Sequence, residues 1–231
     1  MSIHRFGLLS SREGTKAGRA PGRRAAVLAA AAAAVGGGMW LTVPPASAAS
    51  TACGSNCISL FNQKFGSADV SAVSGGTAST GQPVILSAAA PSTTEDWTVS
   101  FEGLVSDFYA AGLVSVVLNE HYGSDEAFEF QYAPGGVGSG FCLGIASGPA
   151  QSTPVTLQPC GVSAHTVWIF DVADASGGYT PLISGSDTKY PAPYVLTANT
   201  AGDNLTTQAL RTNPGADAGA QRWQTISGVL P

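Results

Sequence analysis

The stretch NEHYGSDE, Asn119 to Glu126, gathers His121 with Glu120, Asp125 and Glu126. An imidazole among carboxylates is the composition needed to hold a cation or to pass a proton. The same composition also makes an acidic, solvated turn, and that is the expected reading. His165 precedes a tryptophan by three residues and reads as a surface histidine. The chain carries no G-x-S-x-G elbow, no H-E-x-x-H and no phosphate loop, so catalysis is not expected, nor is a cofactor. Cys53, Cys57, Cys142 and Cys160 are the remaining reactive groups. Zinc would want two closely spaced pairs, whereas Cys142 and Cys160 stand eighteen residues apart with no histidine at ligand spacing. In an exported chain an even number of cysteines reads as disulfides, with three connectivities open.

Export itself is expected from the first 48 residues. Arg5, Arg12, Lys16, Arg19, Arg23 and Arg24 form a basic leader, Ala25–Val35 is apolar, and Ala46-Ser47-Ala48 gives the small-x-small cleavage pattern. The apolar run is alanine-rich and broken by GGG, short of the roughly 20 strongly apolar residues that a membrane span needs. A lipid anchor at Cys53 is disfavoured because Ser50 stands where Leu, Val or Ile is wanted. Residues 1–48 are therefore expected to be a secretory signal, and residues 49–231 the exported domain, with no membrane span. Arg23-Arg24 leaves the twin-arginine route open beside the general one.

Without the leader only Lys64, Lys189, Arg211 and Arg222 remain as cations. Of the 15 Asp and Glu, Glu13 alone is lost, so four cations face fourteen carboxylates. Such a surface repels phosphate backbones, which excludes nucleic acid as a partner. Many Gly and Pro with abundant Val, Thr and Ser point to short strands joined by turns.

Those strands recur. QPVIL (Gln82–Leu86) is followed eleven residues later by Trp97, and TPVTL (Thr153–Leu157) eleven later by Trp168. TTQAL (Thr206–Leu210) precedes Trp223 by thirteen. Each block opens on a short apolar run: DVSAV at Asp69, FCLGI at Phe141 and YVLT at Tyr194. Units that each bury one face must share a core, and three of them close a barrel without exposed edges. Trp97, Trp168 and Trp223 are expected in that core with Val84, Leu86, Val155, Leu157 and Leu210. Between Trp97 and Cys142 the chain is too long for a plain return. Leu113–Asn119 and Ala127–Ala133 read as two added strands, an inserted hairpin or a lengthened repeat over about residues 113–133. CGSNCISLF reads as a disulfide-tied lead-in strand.

GGTASTGQPVIL…EDW, CLGIASGPAQSTPVTLQPC…TVW and QAL…QRW together resemble the three degenerate repeats of ricin-type β-trefoil lectins, the family marked by Q-x-W. The resemblance runs from Asp69 to Ile226 and implies an all-β trefoil, with repeats over about 69–112, 141–190 and 194–231. Only Gln221-Arg222-Trp223 keeps the whole motif; the others read Glu95-Asp96-Trp97 and Thr166-Val167-Trp168. In this family a cysteine pair closes a repeat. That assigns Cys142 to Cys160 and leaves Cys53 to Cys57, each also the nearest pair in sequence.

The resemblance also implies carbohydrate binding, through an aspartate early in each repeat, an aromatic after the second strand and an Asn before the Gln. The aspartate positions read Ala72, Gly144 and Thr197; the aromatic positions read Ser87, Gln158 and Arg211; the Asn positions read Thr94, His165 and Ala220. All nine depart from the family's pattern. A glycan or polysaccharide is then expected on a non-standard surface of the third repeat, where Asn199, Asp203, Asn204 and Gln221 supply polar groups. The alternative is a sugar-silent extracellular trefoil that acts by protein contact, as an interaction protein or an inhibitor.

Overall fold

A computed structural model describes residues 50, 53, 57–66, 69–161, 163–211, 215 and 217–227. The expected signal at 1–48 lies outside the described residues. Those described form twelve strands. The first four are β1 (Ile58–Asn62), β2 (Asp69–Val73), β3 (Val84–Ala88) and β4 (Trp97–Leu104). The next four are β5 (Glu126–Tyr132), β6 (Phe141–Ile145), β7 (Thr153–Pro159) and β8 (Trp168–Phe170). The last four are β9 (Thr180–Ser184), β10 (Tyr194–Thr197), β11 (Thr206–Ala209) and β12 (Arg222–Ser227).

Antiparallel pairing runs β1–β4–β5–β8–β9–β12 and back to β1, which closes a six-stranded barrel. The hairpins β2–β3, β6–β7 and β10–β11 cap one end. They join in a triangle through β7–β11, Pro83–Thr156 and Ile85–Asn204. This is a β-trefoil. Closing the barrel pairs strands that would otherwise be open edges.

The three repeats agree in detail. The indole N–H of each tryptophan donates to the third residue of its own repeat's second strand: Trp97 to Ser71 O, Trp168 to Leu143 O and Trp223 to Leu196 O. With those residues superposed, the cross-strand registers Ser71–Leu86, Leu143–Leu157 and Leu196–Thr207 fix the rest. The three tryptophans, Val84, Leu86, Val155, Leu157 and Leu205 share one core with Leu60, Phe130, Tyr132 and Leu182.

That register corrects three expectations. Leu210 is the expected core residue of TTQAL, but the residue facing the core is Thr207, whose hydroxyl donates to Ala150 O. Leu210 lies three positions further on, as Cys160 does after Leu157, and packs outside the barrel. The lead-in strand is barrel strand β1, and the second of the two added strands, Ala127–Ala133, belongs to barrel strand β5, so pairing groups the repeats as 58–104, 126–170 and 180–227. Leu113–Asn119 is not a strand. The true insertion, between β4 and β5, holds two short helices, α1 (Val105–Ala110) and α2 (Val116–Tyr122). Val114, Val116 and Leu118 read as alternation, yet Val116 is half exposed, while Val114, Leu118 and Tyr122 are buried at helical i, i+4, i+8 spacing. Ser115 caps α2, its hydroxyl accepting from Leu118 N at 3.2 Å.

The insertion packs on the barrel wall. Val105, Phe108, Val114, Leu118 and Tyr122 meet Val167, Ile169, Ile183 and Val195 in a second apolar cluster. Ile169 and Ile183 neighbour the inward-facing Trp168 and Leu182, so strand alternation places them outside. Cystines join Cys53 to Cys57 and Cys142 to Cys160. The second ties β6 to the end of β7, and the third repeat replaces it with Val195 and Leu210. No helix among the described residues is long and apolar enough to cross a membrane.

Candidate binding cleft beside the helical insertion

Ala72, Gly144 and Thr197, which stand at the aspartate positions of the resemblance, are all buried. Register confirms that Ala72, Gly144 and Thr197 are equivalent. A Cβ on Gly144 would lie 2.7 Å from His165 O and 3.0 Å from the Thr166 methyl, so no aspartate fits there without the 165–166 backbone moving. Ala72 is buried, and Thr197 is buried with its hydroxyl donating to Val195 O. The third aromatic position is Gln208 rather than Arg211, because the register shift in TTQAL carries it back by three.

The four polar residues expected to bind in the third repeat do not form one site. Asn199, Asp203 and Asn204 share the β10–β11 turn. Asn199 Nδ2 donates to Asn204 O at 2.9 Å and its Oδ1 accepts from Gln208 Nε2 at 3.1 Å, so this amide braces the hairpin. The Asp203 carboxylate is exposed. Gln221 is buried beneath: its Nε2 donates to Ala209 O at 2.9 Å and its Oε1 accepts from Arg211 N at 2.8 Å. It holds the chain leaving β11 and offers nothing to a ligand. Glu95 does part of the same work in the first repeat, accepting from Ala90 N at 3.0 Å. Burial pushes its carboxyl up to about 7, the Ala90 N–H opposing and the Asp96 charge adding to the rise.

Aromatic and acidic groups gather in a recess beside α2. The helical insertion brings His121 and Tyr122, at the end of α2, against the β9–β10 loop. His121 stacks on Tyr190 with ring centroids 3.5 Å apart and an 8° tilt, and Tyr122 meets Tyr190 edge-on at 6.2 Å. Ser115 Oγ donates to Asp187 O at 2.8 Å and ties the other end of the helix to the same loop. Asp187 orders that loop through Thr188 N at 2.6 Å, Lys189 N at 2.9 Å and Tyr194 N.

Two hollows flank the stacked pair and share His121, Tyr190 and Pro191. The outer one, about 570 Å³, is lined further by Val117, Glu120, Thr188, Lys189 and Ala192. The inner one, about 440 Å³, is walled by Tyr122, Asp125, Asp171, Ala173, Asp174 and Leu210. Asp174 is neutralised by Arg222 at 2.9 Å. Asp125 and Asp171 have no ion-pair partner among the described residues. Burial raises both carboxyls above the ordinary aspartate value, and the charge of Asp171 raises Asp125 further. Asp171 Oδ1 accepts from Asp174 N at 3.3 Å, which holds the carboxyl at the rim of the turn after β8. Burial, then the charges of Asp171, Tyr190, Asp125 and Asp187, push the Tyr122 phenol well above its ordinary value.

In sequence His121 and Asp125 have the pattern of a solvated acidic turn. Tyr190, Asp171 and Asp174 arrive from β8–β9 and β9–β10, more than forty residues downstream, and only the closed barrel brings them to α2. The local signal was the histidine–tyrosine pair at the end of a run with helical spacing.

No protein-family model matches the chain, and no curated protein matches it in sequence. Solved structures do match its fold. ThreeFoil, a designed three-fold symmetric protein, superposes with TM-score 0.50 over 74% of this chain and 99% of its own, at 14% identity. A mosquitocidal holotoxin matches with TM-score 0.50 and 12% identity over 74% of this chain. The exo-β-1,3-galactanase 1,3Gal43A of Clostridium thermocellum gives 0.50 and 14% over the same share. The matched region spans 17% of the holotoxin chain and 30% of the galactanase chain. At these identities the likeness is one of fold.

Proposed function

We propose that the protein is a secreted carbohydrate-binding module that uses a trefoil scaffold and binds through the cleft beside α2, not through three repeated pockets. The observation that carries this reading is the stacked His121–Tyr190 pair standing beside Asp125 and Asp171. A sugar ring presents an apolar C–H face and a fringe of hydroxyls. Tyr190, half exposed, offers the aromatic face, and the two carboxylates accept from hydroxyls in a partly desolvated recess. Binding by the usual pockets is disfavoured by the crowding at Gly144 and by the burial of Ala72 and Thr197. Two disulfides and the leader pattern support an extracellular location. The test is a glycan and polysaccharide binding screen of the purified protein against its Tyr190→Ala variant. Binding that the variant loses supports the reading, and binding that it retains in full removes the cleft from it.

A protein-contact role is the second reading, favoured by the apolar surface of Phe101, Leu104 and Tyr109 at the far end of β4 and on α1, all substantially exposed. Glycan binding that survives Phe101→Ser and is lost in Tyr190→Ala argues against it.

A further inference from the structure

The chemistry of the inner recess is more specific than that of a general sugar site. Asp125 and Asp171 face it without salt bridges: Arg222 pairs with Asp174 and reaches Asp171 only as the weakest of the influences on it, and Lys189 lies over the Tyr194 ring at 4.5 Å. Beside them Tyr122, only 7% exposed, lines the recess, and its hydroxyl makes no hydrogen bond among the described residues. Asp171 already accepts from Asp174 N, but neither carboxylate has a salt bridge, and partly desolvated carboxylates gain from a cation placed between them. One kind of group satisfies all three: a primary ammonium, with three N–H donors and a positive charge. Its donors match two carboxylates and one phenol oxygen. The ring of Tyr190 at the wall adds cation–π attraction.

Resting on the carbohydrate reading, we propose that this recess recognises the protonated amino group of a 2-amino-2-deoxy sugar. The sugar belongs to a deacetylated amino polysaccharide, its ammonium held by Asp125, Asp171 and the Tyr122 hydroxyl and its ring against Tyr190. The N-acetylated form lacks the charge and brings a methyl group towards two carboxylates. Acidic sugars meet repulsion both in the recess and from the excess of carboxylates over the whole exported chain.

The experiment is calorimetric titration of the whole protein at pH 7 with a β-1,4-linked glucosamine oligomer, its N-acetylated counterpart and a lysine-rich peptide of equal charge. The deacetylated oligomer should bind at least tenfold tighter than the acetylated one. Asp125→Asn and Tyr122→Phe should each weaken it by about tenfold while leaving the thermal midpoint near that of the parent protein. The Asp125 variant is the safer arm, because that side chain is only partly buried. Equal binding of the two oligomers, lost in Tyr190→Ala, would overturn the ammonium assignment and leave the carbohydrate reading standing. Tighter binding of the peptide would overturn the sugar as the source of the ammonium. Absence of binding to either oligomer, and to every glycan in the wider screen, would overturn both.

Discussion

Tyr190 lies flat on His121, ring centroids 3.5 Å apart, and this contact joins an insertion after the first repeat to a loop of the third. Both residues line each of the two hollows beside α2. Tyr190→Ala removes the stack and the edge contact to Tyr122, at a stability cost of about 1 kcal/mol because the ring is half exposed. The larger effect should fall on ligand affinity, reduced tenfold or more. Tyr190→Phe should keep most of it. Paired melting and titration curves measure both, and loss of binding only in step with loss of fold would contradict a direct contact.

Glu95 occupies the place that Gln221 holds in the third repeat, and this gives stability a pH dependence. In the unfolded chain its carboxyl releases its proton near 4.5, whereas in the fold burial keeps the proton on up to about 7. Between those values the native state binds the extra proton, so stability falls as pH rises through the window and levels off above about 7. Glu95→Gln has nothing to titrate. It should remove that slope and raise stability at pH 8 by on the order of 2 kcal/mol. Denaturant midpoints of the two proteins between pH 4.5 and 8 test this, and parallel curves would refute it.

Ser152 has φ of +63°, while Gly81 and Gly202, five residues before Leu86 and Thr207, have +81° and +88°. All three donate backbone N–H bonds to the neighbouring hairpin: Gly81 to Leu157 O, Ser152 to Thr207 O and Gly202 to Leu86 O. The second repeat thus puts a side chain where the left-handed backbone favours glycine. Ser152→Gly should stabilise the protein by roughly 0.5 kcal/mol, relief of strain outweighing the added freedom of the unfolded chain. A lower melting temperature for this variant would contradict the equivalence.

The cystine between Cys142 and Cys160 closes an eighteen-residue span and, by loop entropy, should contribute about 3 kcal/mol. Cys142→Val with Cys160→Leu copies the Val195–Leu210 pair of the third repeat and should recover part of that loss. Unfolding of the double variant beside a Cys142→Ser, Cys160→Ser control checks it. Equal destabilisation of the two would show that packing cannot substitute there.

The scaffold was legible where the repeat writes itself in large side chains. Trp97, Trp168 and Trp223, with Val84, Leu86, Val155 and Leu157, gave the three-fold pattern because a shared core fixes their spacing. The third repeat misled at Thr207, where the core position is a threonine and the nearby Leu210 serves another cluster. The insertion misled because valines at 114 and 116 and leucine at 118 fit alternation and helix equally well over so short a run. The cleft was illegible for a different reason. Asp171 and Tyr190 acquire meaning only beside α2, and no local pattern encodes that meeting.

Binding through the cleft is tested most directly by following backbone amide signals while the protein is titrated with its tightest glycan. Shifts should concentrate at Glu120–Asp125, Asp171–Asp174 and Thr188–Ala192, with the three hairpins unmoved. Shifts centred instead on Ala72, Gly144 and Thr197, or on the turn from Asn199 to Asn204, would contradict it.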